Sequence, residues 1–89
     1  MILGRVKGEI VCTIKHPAYA NWRMLQLDRI DPEGNELGGY LVALAAVDAG
    51  VGQTVLVIDE GNSARQVVRD PQAPIRSVII GIVDEITSE

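Results

Sequence analysis

The fold of this chain is decided by the stretch Tyr40-Leu-Val-Ala-Leu-Ala-Ala-Val-Asp-Ala-Gly-Val-Gly-Gln-Thr-Val-Leu-Val-Ile-Asp-Glu-Gly-Asn-Ser-Ala-Arg65. An apolar run, Leu41–Val47, leads into a short glycine loop, Asp48–Gly52. A second apolar run, Val55–Ile58, ends at an acidic break, and Asn62–Arg65 is typical of the start of a helix. The stretch therefore predicts a strand, a glycine loop, a second strand and a helical turn.

The composition favours one small, mostly β domain over residues 1–89. The chain has 89 residues, of which 47% are hydrophobic but only 3% aromatic, and it contains no Phe. Val and Ile supply much of the apolar content, and such β-branched side chains suit a pleated, half-buried surface. A domain of this size buries only about 60% of its unfolded surface, so we expect a thin core.

The charge argues against a nucleic-acid partner. The formal net charge is −4, and the eight basic residues are scattered along the chain. Nucleic-acid affinity comes largely from Lys and Arg that neutralise phosphates. We also expect a cytoplasmic protein without a membrane partner, because there is no signal-like segment and no apolar run near the roughly 20 residues that span a bilayer. The single cysteine excludes an internal disulfide.

Five segments have the pattern of β-strands. Arg5–Lys15 alternates apolar and polar residues, and Gly8 within it predicts a bend or bulge. Proline and glycine in the segment 31–36 predict a turn after the second strand. Because the Asp48–Gly52 loop is short, we expect the third and fourth strands to form an antiparallel hairpin. The predicted strands are Arg5–Lys15, Arg23–Ile30, Leu41–Val47, Gln53–Ile58 and Ile75–Ile86.

We predict one short helix within Asn62–Asp70, with Ser63 as its N-cap and Asp70-Pro71 as its end. Five short strands with one late helix indicate a small, closed, antiparallel barrel of the OB type. Strands three, four and five are apolar on both faces, whereas a barrel hides only one face. We therefore predict a second buried surface, most simply a subunit interface.

No chemistry emerges from the reactive side chains. Cys12 and His16 are four residues apart on an extended segment, or about 13 Å, which is too far for a thiolate–imidazole pair. We interpret them as a buried structural cysteine and a loop histidine. One Cys and one His cannot form the usual zinc site, and Gly50-Val-Gly52 is followed by a strand instead of a dinucleotide-binding helix. We predict no catalytic residue, no metal and no cofactor.

Four blocks of the sequence together resemble the vertex proteins of bacterial microcompartment shells, the CcmL/EutN type. Their order and spacing carry the resemblance over essentially the whole chain. The chain departs from the family pattern at Ala45, Asp48 and Asn62, and Arg76 stands where an acidic residue is common. The four blocks are Gly4–Lys15; Leu25–Leu27; Val42-Ala43 with Ala49–Gly52, Val55–Val57 and Gly61–Arg65; and Pro74-Ile75 with Ile79–Asp84.

The resemblance implies an OB-like barrel that assembles as a cyclic homopentamer. Such pentamers cap the vertices of a polyhedral shell that is otherwise tiled by hexameric shell proteins, a role that needs no catalytic residue. The alternative from the fold class is an OB-type nucleic-acid or ligand-binding module. The residues expected around the five-fold axis are Asp48, Ala49, Gly50, Val51 and Gly52. Those expected at the subunit interface are Ser63, Ala64, Arg65, Val78, Ile80 and Ile82.

Overall fold

The structure is a computed structural model that describes residues 1–12, 15–72 and 75–86, apart from the side chain of Ala18. Five strands, one α-helix and one 3-10 turn follow one another along the chain. They are β1 (Ile2–Ile10), the 3-10 turn Pro17–Tyr19, β2 (Arg23–Ile30), β3 (Glu36–Ala45), β4 (Thr54–Asp59), α1 (Gly61–Val68) and β5 (Ser77–Ile82).

The strands close into a barrel in the order β1-β2-β3-β5-β4, which confirms the predicted five-stranded architecture. The predicted hairpin between β3 and β4 is wrong, because β5 lies between these two strands. β5 pairs with β4 in the antiparallel sense and with β3 in the parallel sense. The barrel is therefore not purely antiparallel.

The glycine loop crosses one end of the barrel instead of reversing the chain beside β3. The Gly52 N–H donates to the Val6 carbonyl at 2.9 Å, and the Val6 N–H donates to the Gln53 carbonyl at 3.0 Å. These two bonds join the loop to β1, so β4 continues along β1 instead of β3. A parallel β3–β5 pair needs a long crossover connection, which β4 and α1 supply.

Strand bounds differ from the sequence prediction mainly in three strands. β3 begins five residues before the predicted Leu41–Val47 and ends two residues earlier, and β5 covers only Ser77–Ile82 of the predicted Ile75–Ile86. β1 begins three residues earlier than predicted and ends at Ile10; Thr13 and Ile14 of the predicted strand lie outside the described residues. The predicted irregularity at Gly8 is confirmed, since the β1–β2 register shifts between Val6 and Gly8. Cys12 is exposed, which makes the prediction of a buried structural cysteine wrong. The chain leaves β1 before Cys12, so no barrel wall covers its side chain.

The barrel interior is filled by aliphatic side chains that alternate with outward ones along each strand. Leu27, Val55, Val57 and Ile79 have no solvent-accessible surface. The inner cluster contains Val6, Leu25, Leu27, Ala43, Ala49, Val55, Val57 and Ile79. This cluster alone would leave the outward apolar residues of β3 and β5 exposed.

A second cluster on the outside of the barrel covers part of those outward residues. Helix α1 packs its buried Ala64 over Val78 of β5 and Leu44 of β3, and neither Ala64 nor Val78 has accessible surface. The small side chain of Ala64 lets the helix approach the barrel wall closely. The chain thus buries some of the apolar excess that the sequence assigned to a subunit interface.

The helix begins at Gly61, and its N-cap is Glu60 instead of the predicted Ser63. The Glu60 carboxylate accepts hydrogen bonds from the backbone N–H groups of Asn62 and Ser63, both at 2.8 Å, and from the Ser63 hydroxyl at 2.7 Å. Because the helix starts two residues before Ser63, that side chain lies inside the first turn and donates to the cap. A carboxylate at this end also interacts favourably with the helix dipole.

Helix capping by Glu60 predicts an acid-sensitive helix. The Ser63 hydroxyl, together with the two N–H groups, lowers the pKa of Glu60 below its ordinary value. A carboxyl whose pKa is lower in the folded state contributes stability above its unfolded pKa and loses it as pH falls through the folded pKa. We expect Glu60→Gln to lower the urea midpoint at about pH 7, and we expect the difference from the wild type to shrink as the pH falls through the lowered pKa of Glu60.

Glu36→Gln, at the exposed start of β3, is the matched control and should leave the urea midpoint unchanged at neutral pH. A loss of stability for Glu60→Gln that stays the same as the pH falls would contradict the role of the ionised cap.

Candidate assembly surfaces

The glycine loop exposes its backbone at one end of the barrel while one side chain anchors it. Ala49 is buried in the inner cluster, whereas Asp48, Gly50, Val51 and Gly52 are exposed. Gly52 adopts a φ of +89°, a conformation that side chains disfavour. The Gly50 N–H donates to the Gln53 side-chain carbonyl at 2.6 Å. The loop is thus a fixed projection with little side-chain bulk.

Arg23 ties this loop to the neighbouring strands. Its Nη1 donates to Asp48 Oδ1 at 2.9 Å and to the Ala49 carbonyl at 3.1 Å. Its Nε and Nη2 both donate to Glu9 Oε1, at 3.1 and 3.0 Å. One guanidinium at the start of β2 therefore joins the end of β1 to the loop. The sequence carries no local signal for the role of Arg23, because Glu9, Arg23 and Asp48 meet only after the barrel closes.

The residues predicted at the subunit interface divide into two groups. Ala64 and Val78 lie under the helix with no accessible surface, so they offer nothing to a second chain. Ser63, Arg65 and Ile80 are half-buried, and Ile82 is 36% exposed. Any interface in this region would rest on the second group.

The structure reveals an apolar surface that the sequence analysis did not assign. Leu37, Tyr40 and Val42 of β3 are 60%, 66% and 38% exposed, although Leu44 on the same strand is buried. The helix and the 3-10 turn cover the outer face of β3 only from Leu44 onward. The two-sided apolar pattern of the third strand indicated that an apolar surface would be left over. That pattern does not show which part of the strand the helix covers.

Conventional chemical sites are not found within the described residues. No group of three or more His, Cys, Asp or Glu there could hold a metal ion. No helix among these residues is long and apolar enough to cross a membrane. Cys12 and His16 are both exposed, and Cys12 lines an open groove of about 310 Å³. The prominent features of this surface are thus the loop and the apolar part of β3.

The Arg23 contacts predict that the loop loosens when this side chain is shortened. We expect Arg23→Gln to speed amide hydrogen exchange at Ala49, Gly50 and Gly52 by roughly five- to tenfold, since exposed ion pairs contribute about 1 kcal/mol or less each. Arg29→Gln is the matched control, because Arg29 is exposed on the same strand and has no side-chain partner among the described residues. Equal exchange rates in both variants would show that Arg23 does not hold the loop.

Comparison with known proteins gives a consistent family. The family "Ethanolamine utilisation protein EutN/carboxysome" matches residues 1–84. The Escherichia coli K12 protein named bacterial microcompartment shell vertex protein EutN is 42% identical over 88 residues, which are 99% of this chain and 92% of that protein. The carboxysome shell vertex protein CcmL of Gloeobacter violaceus is 38% identical over 87 residues, which are 98% of this chain and 86% of that protein.

Solved structures agree with the sequence relatives. A structure of an ethanolamine utilization protein EutN has a TM-score of 0.91 at 42% identity. The match covers 99% of this chain and 91% of the EutN chain. The GrpN pentameric microcompartment shell protein from Rhodospirillum rubrum has a TM-score of 0.89 at 30% identity, with both chains covered completely. The barrel, the helix and these matches together show that the chain belongs to the EutN/CcmL family of microcompartment shell vertex proteins.

Proposed function

We propose that this chain is a structural protein that forms the pentameric vertices of a bacterial microcompartment shell in the cytoplasm. The observation that carries the proposal is the full-length match to shell vertex proteins of both the ethanolamine-utilisation and the carboxysome type. A ring of five suits a corner of a polyhedral shell, because hexamers alone tile a flat sheet. The hexameric shell proteins would be its neighbours in that shell.

A role without catalysis is consistent with the surface of the chain. The relatives are named for their place in a shell, not for a reaction. The reactive side chains Cys12 and His16 are both exposed on the surface. The alternative of an OB-type nucleic-acid or ligand-binding module has no specific observation in its favour, and the net charge of −4 opposes phosphate binding.

The assembled ring would use surfaces that the isolated barrel leaves exposed. We place the Asp48–Gly52 loop near the five-fold axis, where a projection with few side chains lets five backbones approach closely. Ser63, Arg65, Ile80 and Ile82 would contribute to the interface between neighbouring subunits. Ala64 and Val78 would support it from beneath, because they position the helix against β5.

The first prediction from this function concerns mass. One chain is 9.6 kDa, so a closed ring should weigh 5 × 9.6 = 48 kDa. We expect light scattering after size exclusion to give about this mass at micromolar protein concentration. Burial of apolar area at roughly 25 cal/mol per Å² supplies the driving force. A stable 9.6 kDa species would contradict assembly, and a dimer or hexamer would contradict the vertex role.

A second prediction concerns the loop. Gly50 does not have a positive φ, and a Cβ built there approaches only Gln53 Oε1, at 3.7 Å. Substitution should therefore leave the barrel folded. We expect Gly50→Trp to prevent closure of the ring, because five indole rings cannot fit around a narrow axis, while the circular dichroism spectrum stays that of the wild type.

Gly50→Ala is the control for this loop and should assemble normally, since it adds only one methyl group. Unchanged assembly of Gly50→Trp at 48 kDa would place the loop away from the axis.

A further inference from the structure

β5 pairs with only a short part of β3, so the rest of β3 lacks a strand partner on the side that faces β5. Backbone groups of successive residues point to opposite sides of a strand. The Ala46 N–H donates to the Ile79 carbonyl at 3.0 Å, so the backbone groups of Leu44, Val42 and Tyr40 face the side on which β5 lies. β5 pairs with β3 only at Leu44 and Ala45.

The N–H and C=O groups of Tyr40 and Val42 consequently face an open edge. Among the described residues, no backbone hydrogen bond reaches either residue from that side. On the opposite side β3 remains paired with β2, where Tyr40 lies opposite Asp28 and Val42 opposite Gln26. An open edge next to an ordered sheet is a site at which another extended segment can add as a strand.

A groove runs along this edge and has a defined chemistry. It has a volume of about 430 Å³ and lies between β3 and the chain that enters β5. Its apolar wall is formed by Met24, Val42, Leu44 and Ile75, and Arg76 stands beside them. Arg76 is 76% exposed, and its Nε pairs with Asp59 Oδ1 at 3.3 Å. The remaining guanidinium N–H groups have no carboxylate partner among the residues that the structure describes. The groove thus fits an extended segment that combines apolar and acidic side chains.

The chain itself has such a segment at the far end of β5. After Ile82 the backbone continues without regular structure through Val83, Asp84, Glu85 and Ile86. The last three of these residues are exposed, and Ile86 is 44% exposed. Among the described residues, the backbone hydrogen bond that ties this segment to the barrel is the one from the Val83 N–H to the Thr54 carbonyl, at 2.8 Å. Two adjacent carboxylates and one exposed aliphatic side chain complement the charge and the apolar wall of the groove.

We infer that the Asp84–Ile86 segment of one copy adds to the Tyr40–Val42 edge of the next copy, with its carboxylates beside Arg76. The groove and the segment lie at opposite ends of β5, which at about 3.3 Å per residue separates them by roughly 20 Å. A contact between two different surfaces of identical chains is heterologous, and it closes into a ring when the rotation permits. The inference rests on the proposed ring and adds a second contact between neighbouring subunits to the one proposed around Ser63, Arg65, Ile80 and Ile82.

Disulfide trapping between copies tests this contact. In a Cys12→Ser background, chains carrying Val42→Cys are co-expressed with chains carrying Glu85→Cys and then oxidised. Neither chain alone holds a pair of cysteines, so a covalent dimer requires contact between copies. We expect a dimer band on a non-reducing gel for this mixture and none when Gln66→Cys, on the exposed face of the helix, replaces Glu85→Cys.

The mass of the mixture before oxidation distinguishes failure of the proposed contact from failure of the ring. A 48 kDa assembly without the Val42–Glu85 dimer would overturn the proposed contact and leave the ring intact. A 9.6 kDa species would overturn the ring and this contact with it. A dimer band of equal strength with Gln66→Cys would also overturn the contact, since it would show unspecific collision.

A charge exchange supplies an independent readout. We expect Arg76→Glu to raise the concentration needed for half-assembly by about tenfold or more, because it places like charges together. The same variant combined with Asp84→Lys and Glu85→Lys should restore assembly. Asp59→Asn is the control, since it removes the partner of Arg76 within the chain and leaves the positive charge in place. Failure of the combined variant to recover while Asp59→Asn assembles normally would exclude this charge pairing.

Discussion

The parallel pairing of β3 with β5 is the constraint on which the rest of the structure depends. Only Leu44 and Ala45 pair there with Val78 and Ile79, yet without this pairing the barrel would be an open sheet with two free edges. A parallel pair cannot be joined by a tight turn. The chain therefore needs a crossover, and the glycine loop, β4 and α1 together form it.

The crossover also determines which apolar residues remain exposed. Helix α1 passes over the seam and covers Val78 and Leu44, each of which gains about 1.5–3 kcal/mol when fully buried. The cover stops there, because the helix has only eight residues. Tyr40 and Val42 lie beyond it, so their side chains remain exposed, and on the β5 side their backbone groups have no hydrogen-bond partner among the residues that the structure describes. The same short pairing that closes the barrel thus leaves the edge at which a second chain can add.

This arrangement accounts for how a domain of this size can serve as a building block. Its inner cluster and its helix suffice to close one barrel, and most of the large apolar side chains that remain exposed lie on the loop, at the end of β5 and along β3. Groups that would bind a metal ion are not assembled among the described residues. The charged network of Arg23, Glu9 and Asp48 instead holds the loop in place. Interaction with copies of the same chain is therefore the function that this surface supports best.

The sequence by itself determined the five strands, the single helix, the turn after β2 and the irregularity at Gly8. Each of these follows from local periodicity or from proline and glycine, which act over a few residues. The capping residue did not follow, since Glu60 and not the predicted Ser63 caps the helix. The order of the strands depended on the tertiary structure. A short glycine loop predicts a hairpin locally, but the bonds from Gly52 and Gln53 to Val6 join residues far apart in sequence. Likewise, the two-sided apolar pattern predicted a second buried surface, but only packing decided that Val78 lies under the helix and Val42 does not. Such choices depend on which strands meet when the barrel closes, and no pattern along a single strand contains that information.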